Sequence, residues 1–269
     1  MRILKLYYPE ERLRLPQEDA WAIDEKNLAF AVADGVHLLP GIEYHRGKEY
    51  PAPSPSGRLA REFCNNFIKF QKRSGIKTAF AKANRSVFRL NKKRAKLSTF
   101  LKAGVYYAAT AVVGRIKSRI FEWMGICDSS VTVLDSRGKI LLFHTDHLHH
   151  NDFDPLLSEY FHLDQSYMLR TLFRNALSPQ GKKLGYGVIT GEKAAEKYAW
   201  SGKRKMRKGE VIVFATDGFE AYLQDDSFRK ALLRFNKKEV EQAVITLKKH
   251  HKNNSEFVSE GTLIAVYVD

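Results

Sequence analysis

The chain has 269 residues, 44% hydrophobic and 28% charged, which is ordinary globular usage in a length able to bury a core without cross-links. Two cysteines exclude a disulfide framework, and no apolar run approaches the roughly 20 residues that a membrane helix needs. The formal net charge of +15 attracts anions of any kind but carries no information about fold.

In chain order, residues 3–6 alternate weakly and residues 20–24 read as a strand. The turn-like Glu25-Lys26-Asn27 then leads into residues 28–33, apolar on both faces as expected of a strand covered from two sides. That run stops at Asp34-Gly35, and a loop rich in proline and glycine follows as far as Gly57. Ser56 is the predicted N-cap of a helix over 57–73, with Leu59, Phe63, Phe67 and Phe70 on one face. Gly75 separates it from a second helix over 77–96 that turns Phe80, Val87 and Phe88 inward. Strands are predicted over 105–116, 119–126, 131–135 and 139–144, the last two joined by a Ser136-Arg137-Gly138 hairpin turn. Residues 147–200 read as a polar, partly helical insertion. A buried strand over 210–215 ends at Thr216-Asp217-Gly218, helices occupy 219–223, 227–235 and 238–250, and a strand over 262–268 closes the chain. This order, without linker or repeat, predicts an α+β fold in one domain over 1–269. The opening residues 1–5 lack the apolar stretch of a secretory leader, so a cytoplasmic protein is expected.

Two apolar strands end in Asp-Gly, at Asp34-Gly35 and at Asp217-Gly218. Asp-Gly is the usual two-residue hairpin turn. Here, however, the first pair opens a long loop and the second a helical pattern, so neither makes a simple hairpin. A carboxylate at the mouth of buried strands is costly to desolvate unless a positive charge sits beside it. A divalent cation would supply that charge. Glu18-Asp19 and Glu260-Gly261 hold comparable places before the strands at 20–24 and 262–268. Hard ions such as Mg²⁺ and Mn²⁺ take carboxylate and carbonyl oxygens of this kind.

From Arg14 to Val268 these motifs resemble, in order, the metal-dependent protein phosphatases of type 2C, the PPM phosphatases. Arg14 stands four residues before Glu18-Asp19. Val32-Ala33-Asp34-Gly35 matches the apolar strand into Asp-Gly, and Ala109-Thr110-Ala111-Val112 the threonine-bearing strand after two helices. Ile126-Cys127-Asp128-Ser129 is similar to the Gly-Asp-Ser motif, with Cys127 in place of glycine. Thr216-Asp217-Gly218 stands for Ser-Asp-Gly, and Glu260-Gly261 for the terminal Asp-Asn.

The resemblance implies a four-layer α-β-β-α sandwich of two antiparallel sheets flanked by helices, with residues 147–200 as a flap over the substrate. It implies hydrolysis of phosphoserine or phosphothreonine in proteins by a hydroxide held between metal ions, two or three Mn²⁺ or Mg²⁺. Asp34 would bridge two ions. Asp217 and Glu260 would hold one, and Glu18 with the Gly35 carbonyl the other. Asp19 would support this shell, Asp128 would bind a third ion, and Arg14 would grip the phosphate. Where many relatives have a histidine directly after Asp-Gly to protonate the leaving group, this chain has Val36 followed by His37, which could serve instead. A pseudophosphatase that binds partners through the same surface is the alternative; a basic nucleic-acid-binding module ranks below it.

Other signals read as structural. His144, His147, His149 and His150 with Asp146 and Asp152 match no zinc spacing. Gly185-Tyr186-Gly187 with Gly191 lacks the strand-loop-helix context of a dinucleotide loop. Cys127 has no histidine partner in view and reads as a buried thiol. The lysines and arginines of 69–102 read as a solvated helix face, with an acidic partner as the alternative. Phe80, Phe88 and Phe100 lie on the core side of that region, which disfavours base stacking with nucleic acid. No membrane association is expected.

Overall fold

A computed structural model describes residues 1–10, 15–39, 49–96, 102–146, 165–252 and 254–269. Arg14, Phe100, His147, His149, His150, Asp152 and most of the first half of the predicted insertion lie outside these residues.

Among the described residues, ten strands form two five-stranded antiparallel sheets. One has the order β1 (Arg2–Tyr8), β10 (Gly261–Tyr267), β9 (Val211–Ala215), β6 (Ser130–Leu134), β7 (Ile140–His144). The other has the order β2 (Ala20–Asp24), β3 (Ala29–Gly35), β4 (Ala109–Lys117), β5 (Ile120–Ile126), β8 (Trp200–Lys205). Because side chains alternate along a strand, each central strand feeds two cores. Phe30, Val32 and Val112 of one sheet meet Ile212, Phe214 and Ile264 of the other between the sheets, with Phe30 stacked on Phe214 at 5.4 Å. The alternate residues Ala31, Ala33, Ala111 and Val113 face outward against helices α1 (Pro55–Gln71) and α2 (Ile76–Ala95). Their small size lets Phe63, Phe67 and Phe80 approach the sheet. On the opposite face, Leu4, Leu6, Val213 and Leu263 pack against Phe228 and Leu232 of α5 (Asp226–Arg234) and Val240, Val244 and Leu247 of α6 (Lys237–His250). The result is the α-β-β-α sandwich, which is why the central strands read as continuous apolar runs.

Several boundaries differ from the sequence reading, each for a local reason. The cap of α1 is Ser54, whose hydroxyl accepts from the Gly57 amide, and Pro55 opens the helix where a proline's missing N–H costs nothing. The strand predicted from residue 105 begins at Ala109, after a 3₁₀ turn over Lys102–Val105. The predicted insertion contains α3 (Gln165–Leu172), and where it ends strand β8 begins, whose exposed residues include Lys203 and Lys205. The alternation of β8 was hidden by the basic cluster, yet lysines are what a solvent-facing edge strand carries to discourage further pairing. After β9 a 3₁₀ turn over Asp217–Phe219 leads into a single-turn helix, α4 (Glu220–Gln224). No helix among the described residues is long and apolar enough to cross a membrane.

Candidate active site

The two sheets bring four sequence-distant strand ends to one edge of the sandwich. Ala20 pairs with Ala33, so Asp19 and Asp34 stand side by side just beyond the last pair, and the Gly35 amide donates to the Glu18 carbonyl at 3.2 Å. Across the sandwich, β9 ends at Ala215 opposite Leu263, which sets Asp217 beside the start of β10. The sheets are tied together here. Thr216 Oγ1 donates to Asp19 Oδ2 at 2.9 Å, and the amides of Glu18 and Asp19 donate to the Glu260 carboxylate at 3.1 and 3.2 Å.

The N-terminus of α1 comes against the same edge because glycine occupies both sides of the contact. A Cβ on Gly35 would lie 2.8 Å from the Gly57 nitrogen, and one on Gly57 would lie 2.5 Å from the Gln17 carbonyl. This contact sets Ser54 beside Glu18. The Glu18 carboxylate accepts from the Ser54 hydroxyl and from Tyr50 Oη at 2.8 Å, while its other oxygen pairs with His37 Nδ1 at 2.7 Å. The His37 ring packs on Tyr50 at 5.1 Å and is 44% exposed, so one face of this network meets solvent.

The carboxylates raise one another's pKa. Asp19, 1% exposed, is held well above the usual carboxylate range by burial and then by the charge of Glu260, with Asp217 adding to it. Its Oδ1 is buried without a hydrogen-bond partner. Part of Asp34 is open to solvent, but the protein closes round its carboxyl, and that enclosure with the charges of Asp19, Asp217, Asp128 and Glu18 drives it strongly upward. Asp217 is pushed to about 7 by desolvation and then by Asp128. Its side chain also opens on a cavity of about 370 Å³ lined by Glu220, Glu256 and Ser259, so solvent tempers that desolvation. Acids clustered in this way ionise together only at a cost that a positive charge between them would offset.

The chemistry of the donor set fits a hard divalent cation: every side-chain donor is a carboxylate oxygen, and Asp19 Oδ1 is buried without a hydrogen-bond partner. The described arrangement is not itself a coordination shell, since no three or more His, Cys, Asp or Glu side chains among the described residues are arranged so that they could hold a metal ion.

Of the residues singled out in the sequence, Glu18, Asp19, Asp34, Asp128 and Asp217 share one electrostatic neighbourhood. Glu260, expected as a metal ligand, stands at the same edge and meets backbone amides there. Its carboxylate caps the start of β2 and accepts from Tyr7 Oη at 3.0 Å, which pushes the Tyr7 hydroxyl pKa upward through burial and the Glu260 charge. The physical reason is reach: the longer side chain carries its oxygens past the strand end to the free amides of Glu18 and Asp19. Cys127 is buried with φ of +61°, and its thiol pKa is raised by burial and then by Asp128. The left-handed backbone explains why glycine would be at home there. Sequence reasoning missed Tyr50, Ser54 and Tyr7, because their partners lie 32, 36 and 253 residues away and no spacing rule connects them.

No protein-family profile matches the sequence, and no curated protein matches it. The fold does have counterparts among solved structures. The Mycobacterium tuberculosis serine/threonine phosphatase PstP aligns over 100% of this chain and 99% of its own, with TM-score 0.62 and 14% identity. A second PstP structure is of its catalytic domain with two manganese ions. The Staphylococcus aureus serine/threonine phosphatase Stp1 aligns over 99% of this chain and 94% of its own, with TM-score 0.61 and 12% identity. RsbX in complex with magnesium aligns over 98% and 92%, with TM-score 0.53 and 13% identity. At such identities the likeness establishes the fold, which is that of the type 2C phosphatases.

Proposed function

We propose that this chain is a compact, divergent member of the type 2C metal-dependent phosphatases, one domain hydrolysing phosphoserine or phosphothreonine monoesters with Mn²⁺ or Mg²⁺. The observation that carries the reading is the group of Asp19, Asp34, Asp128 and Asp217, gathered round the buried Asp19 at one edge of a sandwich with the phosphatase fold. A structural role alone would not gather acids that raise each other's pKa without a neutralising partner.

Asp34, Asp19 and Asp217 would hold the cations, with the Gly35 carbonyl beside them and Asp128 at the rim. Bound divalent ions neutralise phosphate charge and make water acidic enough to act as a nucleophile near neutral pH. The chain's own residues do the rest. Glu18, fixed by Ser54 and Tyr50, orients His37 through Nδ1 and keeps its exposed ring at the mouth of the site, where it can pass a proton to the departing oxygen. Glu260 holds the start of β2 so that Asp19 stays aligned with Asp34. Arg14 would grip the phosphate oxygens.

The test is Mn²⁺-dependent release of phosphate from a phosphothreonine peptide. Asp34→Asn and Asp217→Asn should each reduce it to background; turnover that survives both changes, or survives EDTA, would sink the reading. Two observations favour a second reading, a pseudophosphatase: Glu260 is taken up by backbone amides, and the described side chains do not form a coordination shell. A phosphopeptide that binds the chain saturably but is never hydrolysed in Mn²⁺ would select that alternative.

A further inference from the structure

We propose a second anion site at the opposite end of the β2–β3–β4 sheet, one that binds a small, multiply phosphorylated molecule. A cavity of about 650 Å³ opens there, within the size range of small-molecule sites. Three elements meet at it: the β2–β3 turn with Lys26, the end of α1 with Gln71, Lys72 and Arg73, and the end of β4 with Arg115 and Lys117. α1 runs from the carboxylate edge to this cavity, so its 17 residues separate the two by about 25 Å.

Two of the five cations are already paired. Lys72 Nζ lies 3.3 Å from Asp24, and Arg115 Nε lies 2.6 Å from Glu122. Lys26, Arg73 and Lys117 are exposed and have no carboxylate partner among the described residues. Cations at a helix C-terminus ordinarily answer the helix dipole, which accounts for Lys72 and Arg73. It does not account for Lys26 and Lys117, which come from the β2–β3 turn and the end of β4. Nor does it account for Gln71. That side chain is only 6% exposed, lines the same cavity, and leaves its amide nitrogen buried with no acceptor. A buried unpaired donor costs free energy that a ligand oxygen would return.

The lining identifies the ligand chemistry. Unpaired cations and an amide donor call for an anion rich in acceptor oxygens, which clustered phosphates supply. Among the described residues no aromatic side chain lines the cavity to stack on a base, which disfavours a single-stranded nucleic acid. The convergence of three elements on one small-molecule-sized cavity favours a compact anion over an extended acidic peptide.

The experiment is calorimetric titration of the full chain with inorganic tripolyphosphate, without added divalent metal so that the carboxylate edge offers no phosphate site. Saturable one-to-one binding is expected. Arg73→Glu combined with Lys117→Glu should weaken it at least tenfold, and Gln71→Leu about tenfold, as for one lost hydrogen bond to a charged group. The two charge changes are at exposed positions, so they test the site even if Gln71→Leu disturbs folding. The proposal is overturned by absence of saturation at millimolar tripolyphosphate or by unchanged affinity in the charge variant. Tighter binding of a single-stranded oligonucleotide or of heptaglutamate than of tripolyphosphate would overturn it equally.

Discussion

Asp34 ends a strand whose other residues are apolar and buried, and its carboxyl is the one on which the charges of four neighbouring acids converge. Without a cation, ionising that carboxyl opposes folding. Asp34→Asn keeps the shape and removes a charge, so at pH 8 without metal it should raise the melting temperature by about 2–4 °C, equivalent to about 1 kcal/mol. Mn²⁺ should raise the melting temperature of the parent protein and leave that of the variant nearly still; scanning fluorimetry reads both. A variant that melts lower without metal would show that Asp34 is held by partners other than a cation. Gly218 makes the complementary case. A Cβ there would lie 1.9 Å from the Glu260 carbonyl, so Gly218→Ala must push β10 away from the Asp217 turn. A loss of about 2 kcal/mol in urea unfolding is expected, in the range of overpacking substitutions. The Asp-Gly pairs were visible in the sequence as exceptions to hairpin grammar. That Gly218 is required by the carbonyl of Glu260, across the β9–β10 junction, was not.

At the scale of elements, the N-terminus of α1 does two things at once. Ser54 caps the helix and also donates to Glu18, so the helix start and the site share one hydroxyl. Ser54→Ala should cost about 1 kcal/mol for the cap. Under the proposed mechanism it should also lower turnover, because Glu18 then loses a donor and His37 its fixed partner. Ser54→Thr should restore both, and stability recovered without turnover would separate the cap from the catalytic role. The periodicity of α1 was legible in Leu59, Phe63 and Phe67, but its cap was read two residues late. Ser56, buried with its hydroxyl unpartnered, looks identical to Ser54 in sequence. Only the return of the chain past Glu18 distinguishes them. β8 was missed for the opposite reason. Its Lys-rich alternation is an edge-strand pattern that composition alone assigns to a loop.

At the scale of the whole molecule, the raised carboxyls make stability depend on pH and metal together. An acid whose folded pKa lies above its ordinary 3.8 adds stability below that value, and loses it as pH rises through the folded pKa. For Asp217 that upper end is about 7. Asp217 is open to its cavity, so more of the effect belongs to the fully buried Asp19. The metal-free chain should therefore melt progressively lower as pH rises from 4 to 8. Saturating Mn²⁺ should flatten the upper part of that curve, and Asp19→Asn should flatten it without metal. A metal-free melting temperature that climbs over this range would contradict the raised pKa values.

The sequence by itself determined the fold class and the acidic chemistry of the edge. Strands covered on both sides must be apolar throughout, helices that pack on them must carry a stripe, and acids that stop such strands stand out against that background. These local patterns led to an α+β fold and to Asp19, Asp34 and Asp217; the two antiparallel sheets, the two flanking helix layers and Asp128 came from the resemblance to the type 2C phosphatases. Tertiary structure alone decided which acid answers to which partner. Glu260 meets the amides of Glu18 and Asp19, Glu18 meets Tyr50, Ser54 and His37, and the cations of three distant turns meet around Gln71. Those pairings depend on side-chain reach and on how the two sheets' ends superimpose, and neither is written in spacing along the chain.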